Sequence, residues 1–140
     1  MFIRLTESVA VAGQIAPVDI ATAAAQGFTA IVNNRPDGED FGQPPCAEMR
    51  AAAVAAGVGY TAIPVGHGFT RAQVTEMAAV LAAATGPVLA FCRSGTRSTN
   101  LWALAEASRG GDADTIIAAA ASGGYDVTSL RPTLIALAQP

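Results

Sequence analysis

Short apolar segments alternate with longer segments of helical pattern, and this alternation limits the folds open to the chain. The short segments predict β-strands at residues 2–5, 8–12, 28–32, 60–65 and 87–91. Apolar residues at helical spacing, with capping residues and terminal glycines, predict helices at residues 16–26, 46–56, 70–84, 98–108, 112–122 and 131–138. Such an order predicts an α/β three-layer sandwich with a mostly parallel sheet of four or five strands.

A cysteine stands at the end of the predicted strand 87–91, in the segment Cys92-Arg93-Ser94-Gly95-Thr96-Arg97-Ser98. A loop between a buried strand and a helix presents backbone N–H groups to an anion, and Gly95 can adopt backbone angles closed to other residues. The same donors and the helix dipole favour the Cys92 thiolate, which is the nucleophilic form, while Arg97 adds a fork of donors. A free cysteine in this position is commonly only a small buried hydrophobe, but the residues around it favour an anion-binding nucleophile.

The predicted site follows from this loop. Cys92 and Arg97 are the candidate catalytic residues. The candidate substrate-binding residues are Arg93, Ser94, Gly95, Thr96, Ser98 and His67.

The composition excludes several classes of protein. The chain has 140 residues, 51% of them hydrophobic, which predicts a single domain over residues 1–140 with one sizeable core. A net charge of −3 argues against a nucleic-acid partner, and the absence of lysine excludes P-loop and lysine Schiff-base mechanisms. With one histidine and two distant cysteines, we expect neither a metal nor a cofactor. The sequence also shows no leader or membrane span, so we expect a soluble, cytoplasmic protein.

Two enzyme classes use a cysteine-to-arginine loop, and they differ in two respects. Protein-tyrosine and dual-specificity phosphatases carry Cys-x5-Arg, whereas rhodanese-type sulfurtransferases usually carry the tighter Cys-x4-Arg. Here four residues separate Cys92 from Arg97, and Ser98 occupies the position of the phosphatase arginine. A phosphatase also commonly uses an aspartate on a neighbouring loop as general acid, but residues 64–69 contain no acidic side chain. Both observations favour sulfur transfer.

Five other polar residues each have a functional and a structural interpretation. His67 lies between two glycines, where it either steers a substrate or donates a proton, or is simply exposed. Asp37, Glu39 and Asp40 are available as acids, but turn formation and solvation explain them better. Cys46 is predicted on a helix, which favours a structural role over that of a second sulfur acceptor.

Five segments, taken in order, carry a resemblance to a known family. They are Val11-Ala12-Gly13-Gln14, Val32-Asn33-Asn34-Arg35-Pro36-Asp37-Gly38-Glu39, Ile63-Pro64-Val65, Phe91-Cys92-Arg93-Ser94-Gly95-Thr96-Arg97-Ser98 and Gly124-Tyr125-Asp126. On these segments the whole chain resembles the bacterial family of β-lactamase-hydrolase-like, phosphatase-like domains. Members of that family are also found fused to, or encoded with, β-lactamase-fold sulfur dioxygenases and sulfide:quinone oxidoreductases.

The resemblance implies a dual-specificity/tyrosine phosphatase-like fold that carries a rhodanese-like loop. It also implies that Cys92 is the nucleophile and Arg97 the anion-binding arginine, with a sulfur dioxygenase or a sulfide:quinone oxidoreductase as a candidate partner. The segment Arg35-Pro36-Asp37 matches the family, and we interpret it as a brace for the cysteine loop.

We therefore expect a cysteine-dependent, rhodanese-like sulfurtransferase that acts on a small anion. It would move sulfane sulfur from thiosulfate or a persulfide to a thiol or other acceptor, through a persulfide on Cys92. One alternative is a protein-tyrosine/dual-specificity-like phosphatase that uses a phospho-cysteine intermediate. The other is a non-catalytic module that binds an anion or a persulfide.

Overall fold

A five-stranded sheet, parallel except at one edge, separates two layers of helices. The computed structural model describes residues 2–140. The sheet order is β1-β2-β5-β3-β4, and only the pair β1–β2 is antiparallel. The strands are β1 (Ile3–Arg4), β2 (Val9–Ala12), β3 (Ala30–Asn33), β4 (Gly59–Ala62) and β5 (Val88–Phe91). The predicted three-layer α/β architecture with a mostly parallel sheet is confirmed.

Six helices pack on the two faces of the sheet, two on one face and four on the other. They are α1 (Pro17–Ala25), α2 (Cys46–Ala56), α3 (Arg71–Ala83), α4 (Thr96–Ser108), α5 (Ala113–Ser122) and α6 (Arg131–Ala138), with a short 3₁₀ turn at Thr128–Leu130. The helices α1 and α2 pack together, while α4 lies at the centre of the other layer against α3, α5 and α6. Among residues 2–140, none of these helices has the length and apolar composition needed to span a membrane.

Alternating side chains of the central strand supply both hydrophobic cores. Leu89 and Phe91 of β5 are fully buried in the core under α1 and α2. Val88 and Ala90 belong to the second core, beneath α3 to α6. Burial on both faces explains why β5 is an uninterrupted apolar run, which is typical of a central parallel strand.

Three of the predicted boundaries differ from the structure by two or more residues, for local reasons, and the others agree to within one residue. The predicted strand 28–32 pairs only over Ala30–Asn33, because residues 28 and 29 bond to the end of α1 and to Pro87. The predicted strand 60–65 ends at Ala62, because its partner β3 ends at Asn33. Residues 63–65 lie beyond the end of β3. The helix predicted from residue 98 begins at Thr96, because Gly95 turns the chain directly into α4.

The sheet register brings three strand ends to one edge. Phe91, the last residue of β5, pairs with Ala12 of β2 and with Asn33 of β3. The residues that follow these three positions therefore meet at the carboxyl edge of the sheet, where ligands bind in open α/β folds.

Candidate active site

The thiol of Cys92 lies directly beyond β5, at the amino end of α4. Its side chain is fully buried, and the backbone N–H of Gly95 donates a hydrogen bond to Sγ at 3.1 Å. Burial alone raises the pKa of this thiol. The backbone N–H groups of Ser98, Ser94 and Gly95, together with the Ser98 hydroxyl, outweigh burial and lower the pKa below its ordinary value. The environment therefore favours the thiolate.

Gly95 gives the loop its shape. Its φ of +89° lies in the left-handed region, as the sequence predicted for this glycine. The turn points the Gly95 N–H at the sulfur and starts α4 at the next residue. The Gly95 carbonyl accepts hydrogen bonds from both the backbone N–H and the hydroxyl of Thr99, and these bonds tie the turn to the helix.

Arg97, in the first turn of α4, is held in place by two groups outside the loop. Nη1 donates to Glu39 Oε2 at 2.7 Å and Nη2 donates to Glu39 Oε1 at 2.8 Å. Nη1 also donates to the Val65 carbonyl at 2.6 Å. The hydrogen bonds from Arg97, and then those from Arg35, lower the pKa of Glu39 to about 2, so Glu39 is a carboxylate at neutral pH. The hydrogen bonds with Glu39 raise the pKa of Arg97 in turn.

A second arginine connects this ion pair to the cysteine loop. The Arg35 side chain is only 4% exposed, and it donates from Nε to Glu39 and from Nη2 to Asp40, each at 2.9 Å. Its Nη1 donates to Gln14 Oε1 at 3.0 Å, and the backbone N–H of Gln14 donates to the Arg93 carbonyl at 3.2 Å. The bracing role that we assigned to the Arg35 segment matches these contacts.

The structure brings the predicted loop residues together, and His67 is not among the residues hydrogen-bonded to them. Ser98 is buried and donates from Oγ to Asn34 Oδ1 at 2.8 Å, while the Ser94 hydroxyl donates to Thr96 Oγ1 at 3.1 Å. Arg93 is 66% exposed and lies 3.4 Å from Asp40 Oδ2. His67 is exposed, and the described part of the chain offers it no hydrogen bond to the cysteine loop.

The remaining sequence candidates have structural contacts. Asp37 accepts a hydrogen bond at 2.8 Å from the backbone N–H of Cys46, at the start of α2. The Cys46 thiol is free and lies 3.1 Å from the Tyr60 hydroxyl. Over residues 2–140, no three His, Cys, Asp or Glu side chains form a group that could hold a metal ion.

Three contacts at the site were missed by the sequence analysis. They are the Asn34–Ser98 hydrogen bond, the Glu39–Arg97 ion pair and a hydrogen bond from the Tyr125 hydroxyl to the Ser94 carbonyl at 3.0 Å. Asn34, Glu39 and Tyr125 all stand in segments that carry the family resemblance. That resemblance was the one available signal, because no local spacing links residues 31 to 64 positions apart.

A buried thiolate surrounded by backbone donors, with a guanidinium beside it, can attack a small tetrahedral anion and stabilise the charge that develops. Together with the sheet order, this site defines the class of cysteine-based, phosphatase-like α/β domains. Residues 2–109 match the family model described as the phosphatase-like domain of beta-lactamase hydrolase-like protein. The chain belongs to this family.

Individual relatives agree with the family match. A beta-lactamase hydrolase-like protein of Agrobacterium fabrum is 43% identical over 109 residues, which cover 77% of this chain and 25% of that protein. A second beta-lactamase hydrolase-like protein, from Xylella fastidiosa, is 37% identical over 105 residues, which cover 74% of this chain and 24% of that protein. The chain thus spans about a quarter of the length of these relatives.

Solved structures extend the likeness over nearly the whole chain. A Neisseria meningitidis protein, provisionally described as a phosphatase, is 31% identical with a TM-score of 0.80, and the match covers 96% of both chains. The active form of Tk-PTP has a TM-score of 0.71 at 18% identity and covers 98% of this chain and 95% of its own, which shows a shared fold. The dual-specificity/tyrosine phosphatase-like fold expected from the sequence is confirmed.

Proposed function

We propose that the protein is a cysteine-dependent phosphatase that hydrolyses phosphate monoesters through a phospho-cysteine intermediate on Cys92. The environment of the Cys92 sulfur is the observation on which this proposal depends. The sulfur is buried at the amino end of α4, the Gly95 N–H donates to it at 3.1 Å, and the pKa of the thiol is lowered. The phosphatase description of the family and of the Neisseria meningitidis relative supports this proposal over the sulfurtransferase that we expected from loop length.

In the first step the Cys92 thiolate attacks the phosphorus atom and the bond to the ester oxygen breaks. The sulfur–phosphorus bond forms as the ester oxygen departs with the bonding electron pair. The loop N–H groups and the Arg97 guanidinium stabilise the charge on the non-bridging oxygens, because such donors need little reorganisation during the reaction. Arg97 is suited to this task because its guanidinium is held by Glu39 and the Val65 carbonyl.

The leaving oxygen receives little help from the residues around the loop. Glu39, the nearest acid to Arg97, is ionised at neutral pH. Asp40 forms ion pairs with Arg35 and Arg93. A general acid is worth roughly 10²–10⁴-fold in rate, so substrates whose leaving groups are already acidic gain most from this site. Aryl phosphates with acidic phenols, and phosphoanhydrides, fit that description.

In the second step water attacks the phosphorus atom, the sulfur–phosphorus bond breaks and the Cys92 thiolate is regenerated with release of inorganic phosphate. The thiolate is now the leaving group. The same contacts that lower its pKa, from the loop N–H groups and from the Ser98 hydroxyl, assist its departure. One environment therefore serves both steps.

The test is release of inorganic phosphate from 4-nitrophenyl phosphate by the reduced protein. We expect steady turnover that Cys92→Ser lowers by at least about a thousandfold, because the serine hydroxyl is a far weaker nucleophile at neutral pH. Cys46→Ser is the matched control and should retain turnover, since Cys46, at the start of α2, contacts Tyr60 of β4 rather than the loop. Turnover that survives Cys92→Ser, or no turnover at all, would refute the phosphatase.

Sulfur transfer is the second candidate, and the length of the loop favours it. Only four residues separate Cys92 from Arg97, which makes a tighter ring than the Cys-x5-Arg loop of phosphatases. The Cys92 thiolate would attack the outer sulfur of thiosulfate, breaking its sulfur–sulfur bond and releasing sulfite with the bonding electrons. A thiolate acceptor would then attack the outer sulfur of the Cys92 persulfide and restore the Cys92 thiolate. A sulfur dioxygenase or a sulfide:quinone oxidoreductase would be the corresponding partner.

Intact mass separates the second candidate from the first. The reduced protein is incubated with thiosulfate, and separately with glutathione persulfide, before and after addition of a reductant. A reducible gain of one sulfur atom that is absent in Cys92→Ser supports sulfur transfer. A Cys92-dependent phosphatase that gains no sulfur from either donor rules sulfur transfer out. If the protein binds a phosphate ester or one of the sulfur donors but neither releases phosphate nor gains sulfur, it is a binding module.

A further inference from the structure

Tyr125 reaches the cysteine loop from outside the 2–109 segment that matches the family model. It follows α5, whose end is closed by Gly123 and by Gly124 in the left-handed region. The Tyr125 N–H donates to the Ala120 carbonyl at 3.0 Å, and the Gly124 N–H donates to Ala121 at 2.9 Å. This helix-terminal motif fixes the direction of the chain at Tyr125.

The Tyr125 hydroxyl and the Cys92 sulfur bind opposite ends of one peptide unit. Tyr125 Oη donates to the Ser94 carbonyl at 3.0 Å, and the Gly95 N–H donates to Cys92 Sγ at 3.1 Å. The Ser94 carbonyl and the Gly95 N–H belong to the same planar group, in which they point in opposite directions. A hydrogen bond that fixes the carbonyl therefore also fixes the N–H on the sulfur, and it polarises that N–H as a donor.

The contact between Tyr125 and Gly95 is close enough to exclude a side chain at position 95. A Cβ added to Gly95 would overlap Tyr125 Oη and would lie 3.0 Å from Cζ. The carbonyl carbon of Ala12, at the end of β2, would lie 3.5 Å away on another side. The Tyr125 hydroxyl thus occupies the space that the missing side chain leaves open.

We infer that Tyr125 is a positioning residue for Cys92, whose hydroxyl holds the Ser94–Gly95 peptide so that the Gly95 N–H points at the sulfur. This role rests on the proposed function only in taking Cys92 as the nucleophile. Tyr125 does not touch the reacting atoms and acts through the loop.

The protonation state of Tyr125 suits this role. Burial raises the pKa of its hydroxyl, and the negative charge of the Cys92 thiolate raises it further, so the hydroxyl remains a donor at neutral pH. The other charged groups around the loop are Arg93, which is ion-paired to Asp40, and Arg97, which is ion-paired to Glu39. Arg35 pairs with both of these acids. All of these charged groups are unchanged by a substitution at position 125.

The test measures ionisation of Cys92 without requiring turnover. Wild type and Tyr125→Phe are alkylated with iodoacetamide across a range of pH, and peptide mass spectrometry follows Cys92 apart from Cys46. We expect the alkylation midpoint of Cys92 to rise by about 0.5–1 pH unit in Tyr125→Phe, a three- to tenfold loss of thiolate below the midpoint. Tyr60→Phe removes the other tyrosine hydroxyl, which contacts Cys46 and Asn33, and should leave that midpoint unchanged.

An unchanged midpoint in a folded Tyr125→Phe protein would overturn the role of Tyr125, as would an equal shift in Tyr60→Phe. A measurement on the wild type covers the case in which the variant does not fold. The Gly95 amide proton and the Tyr125 Cζ resonance should titrate with the midpoint of Cys92, and the inference fails if neither moves. A shifted Cys92 midpoint in Tyr125→Phe, without phosphate release by the wild type, would refute the phosphatase but not the positioning role of Tyr125. Phosphate release by the wild type, with an unchanged midpoint in Tyr125→Phe, would refute only the role of Tyr125.

Discussion

The carboxylate of Glu39 binds both terminal nitrogens of the Arg97 guanidinium, with Oε2 at 2.7 Å from Nη1 and Oε1 at 2.8 Å from Nη2. Such two-point pairing fixes the plane of the guanidinium as well as its position. The arginine that we propose as the anion ligand is therefore oriented by a residue from the loop after β3. In the proposed reaction an entering phosphate would share this guanidinium with the Glu39 carboxylate.

The Glu39 pair makes a specific contribution to stability against acid. Because the pKa of Glu39 is lowered from 4.5 to about 2, its contribution is fully present above about pH 5 and is lost as the pH falls toward 2. In Glu39→Gln we expect a loss of about 2 kcal/mol in the free energy of unfolding at pH 7, since hydrogen bonds between charged groups are replaced by weaker ones. The difference from wild type should narrow steadily between pH 5 and pH 2.

Urea denaturation at a series of pH values measures this difference. Glu76→Gln, at an exposed glutamate on α3, is the matched control and should change stability by no more than about 0.5 kcal/mol. A Glu39→Gln protein as stable as wild type at pH 7, or a difference that does not depend on pH, would contradict the assigned ion pair.

The rate of phosphate ester hydrolysis should depend steeply on the leaving group. Glu39 is ionised and Asp40 forms ion pairs with two arginines, so the leaving oxygen must depart largely unaided. We expect kcat/KM to fall by at least about 100-fold from 4-nitrophenyl phosphate to an alkyl phosphate. Comparable rates for the two substrates, with the alkyl rate abolished by Asp40→Asn, would show that Asp40 donates the proton.

Removal of the Ser98 hydroxyl should weaken the departure of the thiolate. The Ser98 backbone N–H lowers the pKa of Cys92, and so does the Ser98 hydroxyl when it turns from Asn34 Oδ1 to the charged sulfur; only the hydroxyl is lost in Ser98→Ala. We expect the pKa of Cys92 to rise and kcat to fall about tenfold, because a hydrogen bond to a charged group is worth about 1.5 kcal/mol. If breakdown of the phospho-cysteine becomes rate-limiting, stopped-flow traces should show a burst of 4-nitrophenol. Ser108→Ala, at the other end of α4, should have neither effect, and an unaltered kcat in Ser98→Ala would count against this role.

A methyl group at position 95 should destabilise the fold more than one at another left-handed glycine. Gly95 has φ +89° and close contact with Tyr125, whereas Gly27 has φ +96° with no atom near its absent Cβ. We expect Gly27→Ala to cost about 1 kcal/mol from backbone strain, and Gly95→Ala about 3 kcal/mol because the overlap adds to that strain. Thermal unfolding measures the loss of stability in both variants. Equal losses would mean that the Tyr125 side chain moves aside at no cost in free energy.

Local sequence signals were sufficient for most of the architecture and for the centre of the site. At the start of α3, Thr70 and Gln73 form a capping box with both of its reciprocal hydrogen bonds, a signal contained within four residues of sequence. The apolar run before Cys92 is the central strand β5, and Gly95 adopts the left-handed conformation that its place in the loop required. Each of these signals acts within a few residues, so each can be read without knowledge of the tertiary structure.

The partners of the cysteine loop are set by packing, which sequence spacing does not encode. Glu39 was interpreted as turn-forming or solvated charge, because nothing within its own segment indicates Arg97, 58 residues further on. Tyr125 depends on the end of α5 and on its packing against the loop, 31 residues away from Ser94. The choice between sulfur transfer and phosphate hydrolysis had the same weakness, since it rested on loop length and on the acids of one neighbouring segment.

The most direct test of the phosphatase is the identity of the group that Cys92 carries during turnover. The protein is mixed with an excess of 4-nitrophenyl phosphate and denatured in acid within the first turnovers, and its peptides are then examined by mass spectrometry. We predict a phosphoryl group on Cys92, present at higher occupancy in Ser98→Ala and absent in Cys92→Ser. Phosphate release with no phosphoryl group on Cys92 in either wild type or Ser98→Ala would contradict the central claim.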